Sequence, residues 1–161
     1  VMPLFPSQVP NPRYNHKVLG NPQLRNTISR GCWWVNVRIL RYADVVLMYA
    51  EAQNELGKSA PALTALNSVR VRARRGAAAG MLPDVNTTDQ NTLRNAIRHE
   101  RRIELAMEHE RVFDIVRWGI AQEVMHAAGK TNFQNSRDVL LPIPQAQIDL
   151  SRGVLVQNPG Y

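Results

Sequence analysis

The sequence predicts an all-α chain: a helical hairpin, then one long helix, framed by an irregular N-terminal segment and an extended C-terminal tail. Residues 40–56 and 59–75 repeat apolar side chains at three- and four-residue spacing on either side of Gly57. Residues 89–118 contain no Gly and no Pro. The run Leu140-Leu141-Pro142-Ile143-Pro144 must be extended, because each proline restricts the residue before it.

Residues 1–36 read as irregular. Pro3, Pro6, Pro10, Pro12 and Pro22 punctuate them, together with Gly20 and Gly31. Short apolar pieces such as residues 17–19 and 32–37 have strand-like composition. An ordered domain seldom begins with so long a loop, so this segment is expected to pack on a part of the protein outside this chain. Residues 37–161 form the helical domain.

In the first helix Leu40, Ala43, Val46, Leu47 and Ala50 share one face, widened by Met48, Ala52 and Leu56. Gly57-Lys58 stops it. Ser59 can cap the second helix, with Pro61 tolerated in its first turn and Leu63, Leu66, Val69 and Ala73 turned inward. So short a connection forces an antiparallel pair. The spacing of Ala50, Gly57, Ala62 and Leu66 resembles a single tetratricopeptide unit.

Residues 76–88 form a loop. The long helix of 89–118 follows, with Thr88 as its cap, Asp89 favoured by the helix dipole and Gly119 as its stop. Leu93, Ile97, Ile103, Met107 and Phe113 are its expected apolar face. Glu100, Glu104, Glu110, Asp114 and Arg117 fall on or beside that face. Burying such charges singly is costly, so a network paired with arginine is expected. Glu108 with Arg111, and Asp114 with Arg117, have a spacing that lets side chains meet. Asp44 and Glu51 are expected to pair with Arg41, Arg70 or Arg117. Residues 120–128 continue or restart the helix, 129–138 form a polar loop, and 145–150 allow one or two helical turns before the terminal QNPGY.

With 161 residues the chain is long enough for one domain with a real core. Lys and Arg total 20 against 13 Asp and Glu, a net charge of +7, and 17 of the 20 are Arg. That bias favours planar ion pairing and keeps nucleic acid among the conceivable partners. Cys32 is alone, which rules out an internal disulfide. No apolar run reaches membrane-spanning length. The chain starts at Val1, as a processed product or a piece of a longer one would, so the lack of a secretion signal says nothing about location.

Three stretches together resemble the SusD/RagB family of outer-membrane nutrient-binding lipoproteins. They are LRYADVVLMYAEAQNELG (40–57) with ALNSVRVRA (65–73), HERRIELAMEHERVFDIVRWG (99–119), and LLPIPQAQIDL (140–150) with QNPGY (157–161). NPRYNHKVL (11–19) looks like the segment that precedes a variable loop in relatives. The resemblance covers about residues 37–161 and corresponds to the C-terminal part of the family. It implies a non-catalytic protein, lipid-anchored through its N-terminal part at the extracellular face of the outer membrane. Such a protein delivers oligosaccharide or peptide nutrients to a SusC-like TonB-dependent transporter. It implies no cofactor.

Trp33 and Trp34 are the foremost ligand candidates, because aromatic faces stack on the apolar faces of sugar rings; Tyr14 and Asn36 are companions. Core filling is the competing role for the tryptophans, and Trp118 at the end of the long helix reads as structural. Glu100, Glu104 and Glu108 lie in a row with arginines close by. A glycosidase needs two carboxyls across a cleft, one with a raised pKa, so no catalytic residue is assigned. Glu123 and His126 make one Glu-x-x-His pair where a carboxylate-bridged metal site needs two, and His99 and His109 are too far apart to join them. VRVRARR (69–75) is the one dense basic run. It lacks interleaved aromatics, so nucleic-acid binding ranks as an alternative, alongside a purely structural interaction domain.

Overall fold

The computed structural model describes Lys17 and residues 36–161. The described residues are helical with irregular connections: α1 (Tyr42–Glu55), α2 (Ser59–Ala73), α3 (Gln90–Glu104), α4 (Arg111–Arg117), α5 (Ala121–Ala127), α6 (Asn135–Asp138) and α7 (Gln145–Leu150). They fall into two compact units, one running to Glu108 and the other His109–Tyr161.

In the first unit α1 and α2 form the hairpin. Gly57 lies between them at φ 73, a left-handed conformation that glycine adopts without steric cost. Ala43, Leu47 and Ala50 of α1 and Ala62, Ala65, Leu66 and Val69 of α2 meet Leu93 and Ile97 of α3 in one core. The alanines allow the helix axes to approach closely. Met48 and Leu56 are exposed and do not join this face, as is Leu40, which precedes α1. Ala52 and Ala73 are also exposed, because the close alanine contact leaves room for only a narrow seam.

Side-chain amides tie the backbone ends together. Buried Asn54 donates to the Gln90 carbonyl at 3.0 Å, and Gln90 Nε2 donates to the Asn54 carbonyl at 2.7 Å. This reciprocal pair joins the end of α1 to the start of α3. Asn67 brackets Val85 in the same way, with both bonds at 2.9 Å, and anchors the 76–88 loop to α2. The cap of α3 is Asp89 rather than Thr88: its carboxylate accepts from the Thr92 amide at 2.7 Å.

The long helix expected over 89–118 is two helices. α3 ends at Glu104, and Met107 (φ 63) and His109 (φ 74) turn the chain before α4 starts at Arg111. Arg41 Nη2 and Lys17 Nζ donate to the Glu104 carbonyl at 2.5 and 2.6 Å. Cations from elsewhere in the chain thus satisfy a carbonyl that a continuing helix would have used. Ile103, Met107 and Phe113 are correspondingly exposed rather than core. Ile103 lies six residues past Ile97, about 120° round the helix. The inward face instead continues from Leu93 and Ile97 to buried Glu100 and Arg101.

In the second unit α4 ends at Arg117, and Gly119 (φ 70) stops it as expected before α5 restarts the helix. Arg117 pairs with buried Asp114 at 2.9 Å and stacks 4.9 Å from the Trp118 ring centre. The segment expected as polar loop contains the short α6. Gln122 and Asn135 exchange backbone-to-side-chain bonds at 3.1 and 3.0 Å, which fixes α6 against α5. The terminal QNPGY fastens the extended run that precedes α7. Gln157 brackets Ile143 at 2.7 and 2.9 Å, Asn158 donates to the Leu141 carbonyl at 2.6 Å, and Tyr161 Oη donates to the Leu140 carbonyl at 3.1 Å. Prolines removed two backbone donors from this run, and side-chain amides now serve the remaining groups. Gly160 sits at φ 87 with the place of a Cβ only 2.7 Å from Arg137 Cγ, so only glycine fits there.

Candidate functional site

Two surface features of the first unit combine concavity with functional groups. The first is a crevice of about 610 Å³ walled by the end of α2, the second half of α3 and the approach to α1. Its carboxylates are each held by a cation. Arg70 donates to Glu100 at 2.5 Å, Arg41 and Arg72 to Glu104 at 2.6 and 2.5 Å, and Arg41 with Lys17 to Glu108. Just beneath, Arg101 and Asp44 form a buried pair at 2.8 Å. The same arginines organise the neighbouring loop: Arg70 donates to the Pro83 carbonyl, and Arg74 to the Leu82 carbonyl and to Asp84.

Glu100, Glu104, Glu108 and Asp114 are therefore paired with cations, as the sequence predicts, although several partners differ. Asp44 takes Arg101 rather than Arg41, Arg70 or Arg117, and Glu108 takes Arg41 and Lys17. Three arginines of the VRVRARR run, Arg70, Arg72 and Arg74, spend their charge on carboxylates. Sequence spacing gives no sign that Lys17, Arg38 and Arg41 line this crevice. They lie far from the carboxylates in sequence, and only the fold brings them close.

Burial works to raise the Glu108 carboxyl, but hydrogen bonds from Arg41 and Lys17 outweigh it and hold the group below its ordinary 4.5. Glu55 beside Arg94, and Asp138 beside Arg137, are also lowered, each chiefly by its arginine hydrogen bond. A carboxyl held ionised in this way suits cross-bracing and opposes general-acid chemistry. Because these folded pKa values lie below the unfolded ones, the stability they contribute is complete above the unfolded values. It is lost as pH falls through the folded ones. The melting temperature is thus expected to decline as pH drops from about 5 to about 3. Glu108→Gln should be less stable than the parent at neutral pH and show a shallower decline, as thermal melts across that range would report.

The second feature is an apolar groove of about 570 Å³ along the outer side of the hairpin, lined by Tyr42, Val45, Val46 and Tyr49 of α1 and Pro61, Thr64, Ala65 and Ser68 of α2. Among the residues proposed from sequence as ligand contacts, Asn36 is exposed in irregular backbone ahead of α1. Tyr14, Trp33 and Trp34 lie outside the described residues. Among the described residues no three His, Cys, Asp or Glu side chains gather as metal ligands, and no helix is long and apolar enough to cross a membrane.

A profile of the SusD family matches residues 14–161 of this chain. The chain belongs to the SusD family. Among curated SusD-family relatives, SusD-like protein P2 of Formosa agariphila is 40% identical over 129 residues, which is 76% of this chain and 25% of that protein. SusD-like protein P38 of the same organism is 38% identical over 112 residues, 68% of this chain and 21% of that protein. A crystal structure of a SusD homolog from Bacteroides thetaiotaomicron superposes with a TM-score of 0.69 at 34% identity, covering 76% of this chain and 26% of that one. A SusD-like protein from Bacteroides fragilis gives a TM-score of 0.61 at 35% identity, with coverage of 78% and 26%. The chain thus spans about a quarter of the length of the SusD-family proteins it matches. The helical arrangement of the described residues and the crevice's Arg–Glu bracing are how this SusD-family segment is built.

Proposed function

We propose that the protein carrying this chain captures oligosaccharide at the extracellular face of the bacterial outer membrane, without cleaving it, and delivers it to a SusC-like TonB-dependent transporter. The observation that supports this reading is the family match across residues 14–161, which contains all three motif stretches and every residue proposed as a ligand contact. The protein is held to the membrane by a lipid attached to its N-terminal part. The helical segment described here is the braced support, and Trp33 and Trp34, with Tyr14 and Asn36, supply the sugar contacts. The clamped state of Glu100, Glu104 and Glu108 fits a support that does no acid–base work.

The test uses the full-length protein. Calorimetric titration against a panel of oligosaccharides should find binding, and Trp33→Ala or Trp34→Ala should weaken it about tenfold or more, the scale of losing one stacked aromatic anchor. Incubation with the bound sugar should release no new reducing ends. A panel with no binder, or a tryptophan pair whose removal leaves affinity unchanged, would remove the glycan role or its assigned residues respectively.

A further inference from the structure

The net charge of +7 belongs to the first unit. Fifteen of the 20 basic residues but only eight of the 13 acidic ones precede His109, which leaves the second unit balanced. Part of that excess is gathered in the crevice at the end of α2. Among the described residues five cationic side chains line it against three carboxylates, those of Glu100, Glu104 and Glu108. Sharing produces the mismatch: Arg41 and Arg72 both donate to Glu104 Oε1, and Arg41 and Lys17 both hold Glu108. Arg38 meets no carboxylate among the described residues; its Nη2 donates to the Lys17 carbonyl at 2.9 Å. Arg72 uses only Nη2 on Glu104, and its side chain is 54% exposed. Its Nε and Nη1 have no protein acceptor among the described residues. A concave surface with one sign of charge in excess concentrates the field and attracts anions. The walls also offer apolar surface from Ala73, Leu82 and Ile103. The volume of about 610 Å³ falls within the span of small-molecule sites.

We propose that this crevice binds the acidic group, carboxylate or sulfate, of a charged oligosaccharide, with Arg38 and Arg72 as its main contacts. A guanidinium presents a planar fork of N–H donors that matches either anion. The sugar ring that carries the acidic group lays its apolar face against Leu82 and Ile103. The crevice carboxylates do not repel such a ligand, because each is already neutralised by a cation. Position along the chain favours an oligosaccharide over a free anion. Arg38 follows Asn36 by two residues and Trp34 by four, so the proposed sugar contacts adjoin the crevice wall in sequence. The inference rests on the proposed capture role and narrows it to acidic nutrients.

Calorimetric titration of the full-length protein tests it, with three matched probes: a galacturonic acid trimer, a sulfated galactose trimer and the neutral galactose trimer. At low salt at least one acidic trimer should bind about tenfold or more tightly than the neutral one, and the advantage should shrink as salt is raised. Arg38→Gln and Arg72→Gln should each weaken the acidic trimer about tenfold, the scale of one charge-assisted contact. Both side chains are exposed, and Arg41 still holds Glu104 in the second variant, so thermal melts should show both folded. Lys130→Gln, an exposed cation of the second unit, should leave binding unchanged. Equal loss in Lys130→Gln would reduce the effect to overall charge and overturn the proposal. Full displacement of the acidic trimer by inorganic sulfate at the same concentration would make the crevice a free-anion site and overturn it too. Neutral trimer bound as tightly as the acidic ones, or none of the three bound, would also sink it; the capture role is judged separately, on the wider panel. Acidic binding lost in Arg38→Gln but kept in Trp33→Ala and Trp34→Ala would support the crevice and remove the tryptophans.

Discussion

Replacing Arg101 with Met is expected to lower the folding stability of the chain by about 3–5 kcal/mol, the cost of leaving a buried charge without its partner. Arg101 and Asp44 are each only 3% exposed, and Arg101 Nη1 donates to Asp44 Oδ1 at 2.8 Å. Asp44 lies in the first turn of α1, where the helix dipole favours a negative charge, and Arg101 in the last turn of α3, where it favours a positive one. The pair thus joins two helix ends of suitable polarity across the core. Without the guanidinium, the carboxylate must either stay ionised in an apolar setting or take up a proton; both destabilise the fold. Asp44→Leu combined with Arg101→Met should recover a large part of the loss, because a matched apolar pair removes both desolvation penalties. Urea unfolding of the two single variants and the double variant would measure this. A loss below about 1 kcal/mol for Arg101→Met would mean that water reaches Asp44.

Leu93→Ala and Ile97→Ala should each destabilise the chain by about 2–5 kcal/mol, whereas Ile103→Ala and Phe113→Ala should each stay within about 0.5 kcal/mol. Leu93 and Ile97 are completely buried against the hairpin, so truncation forfeits transfer energy and leaves a cavity between three helices. Ile103 is 57% and Phe113 67% exposed, so neither truncation opens a cavity. Thermal melts of the four variants would separate the two pairs. A large loss at Ile103 or Phe113 would restore the sequence-based face and contradict the described packing.

Sequence periodicity locates the buried face of α3 but not its end. Periodicity finds Leu93 and Ile97, because a four-residue step keeps both on one side of a helix. It also suggests Ile103 and Phe113, because nothing in residues 89–118 announces a break. The break is made by Met107 and His109 in left-handed backbone, a conformation uncommon outside glycine, though histidine enters it more readily than methionine. Such a turn persists only when its surroundings hold it. The holding groups are Arg41 and Lys17, distant in sequence, which grip the Glu104 carbonyl and the Glu108 carboxylate.

By itself the sequence determined the hairpin, its glycine turn, the stop at Gly119, the extended proline run and the presence of buried, arginine-paired carboxylates. Each of these follows from local backbone preference or from the cost of burying a single charge. Its motif stretches also pointed to the family that the comparisons then established. Only the tertiary structure decided which arginine meets which acid, where the long helical stretch ends and which apolar side chains lie inside. Guanidinium groups on long flexible stems can reach many carboxylates. The choice among them is made by packing between segments far apart in the chain, which spacing along the sequence does not encode.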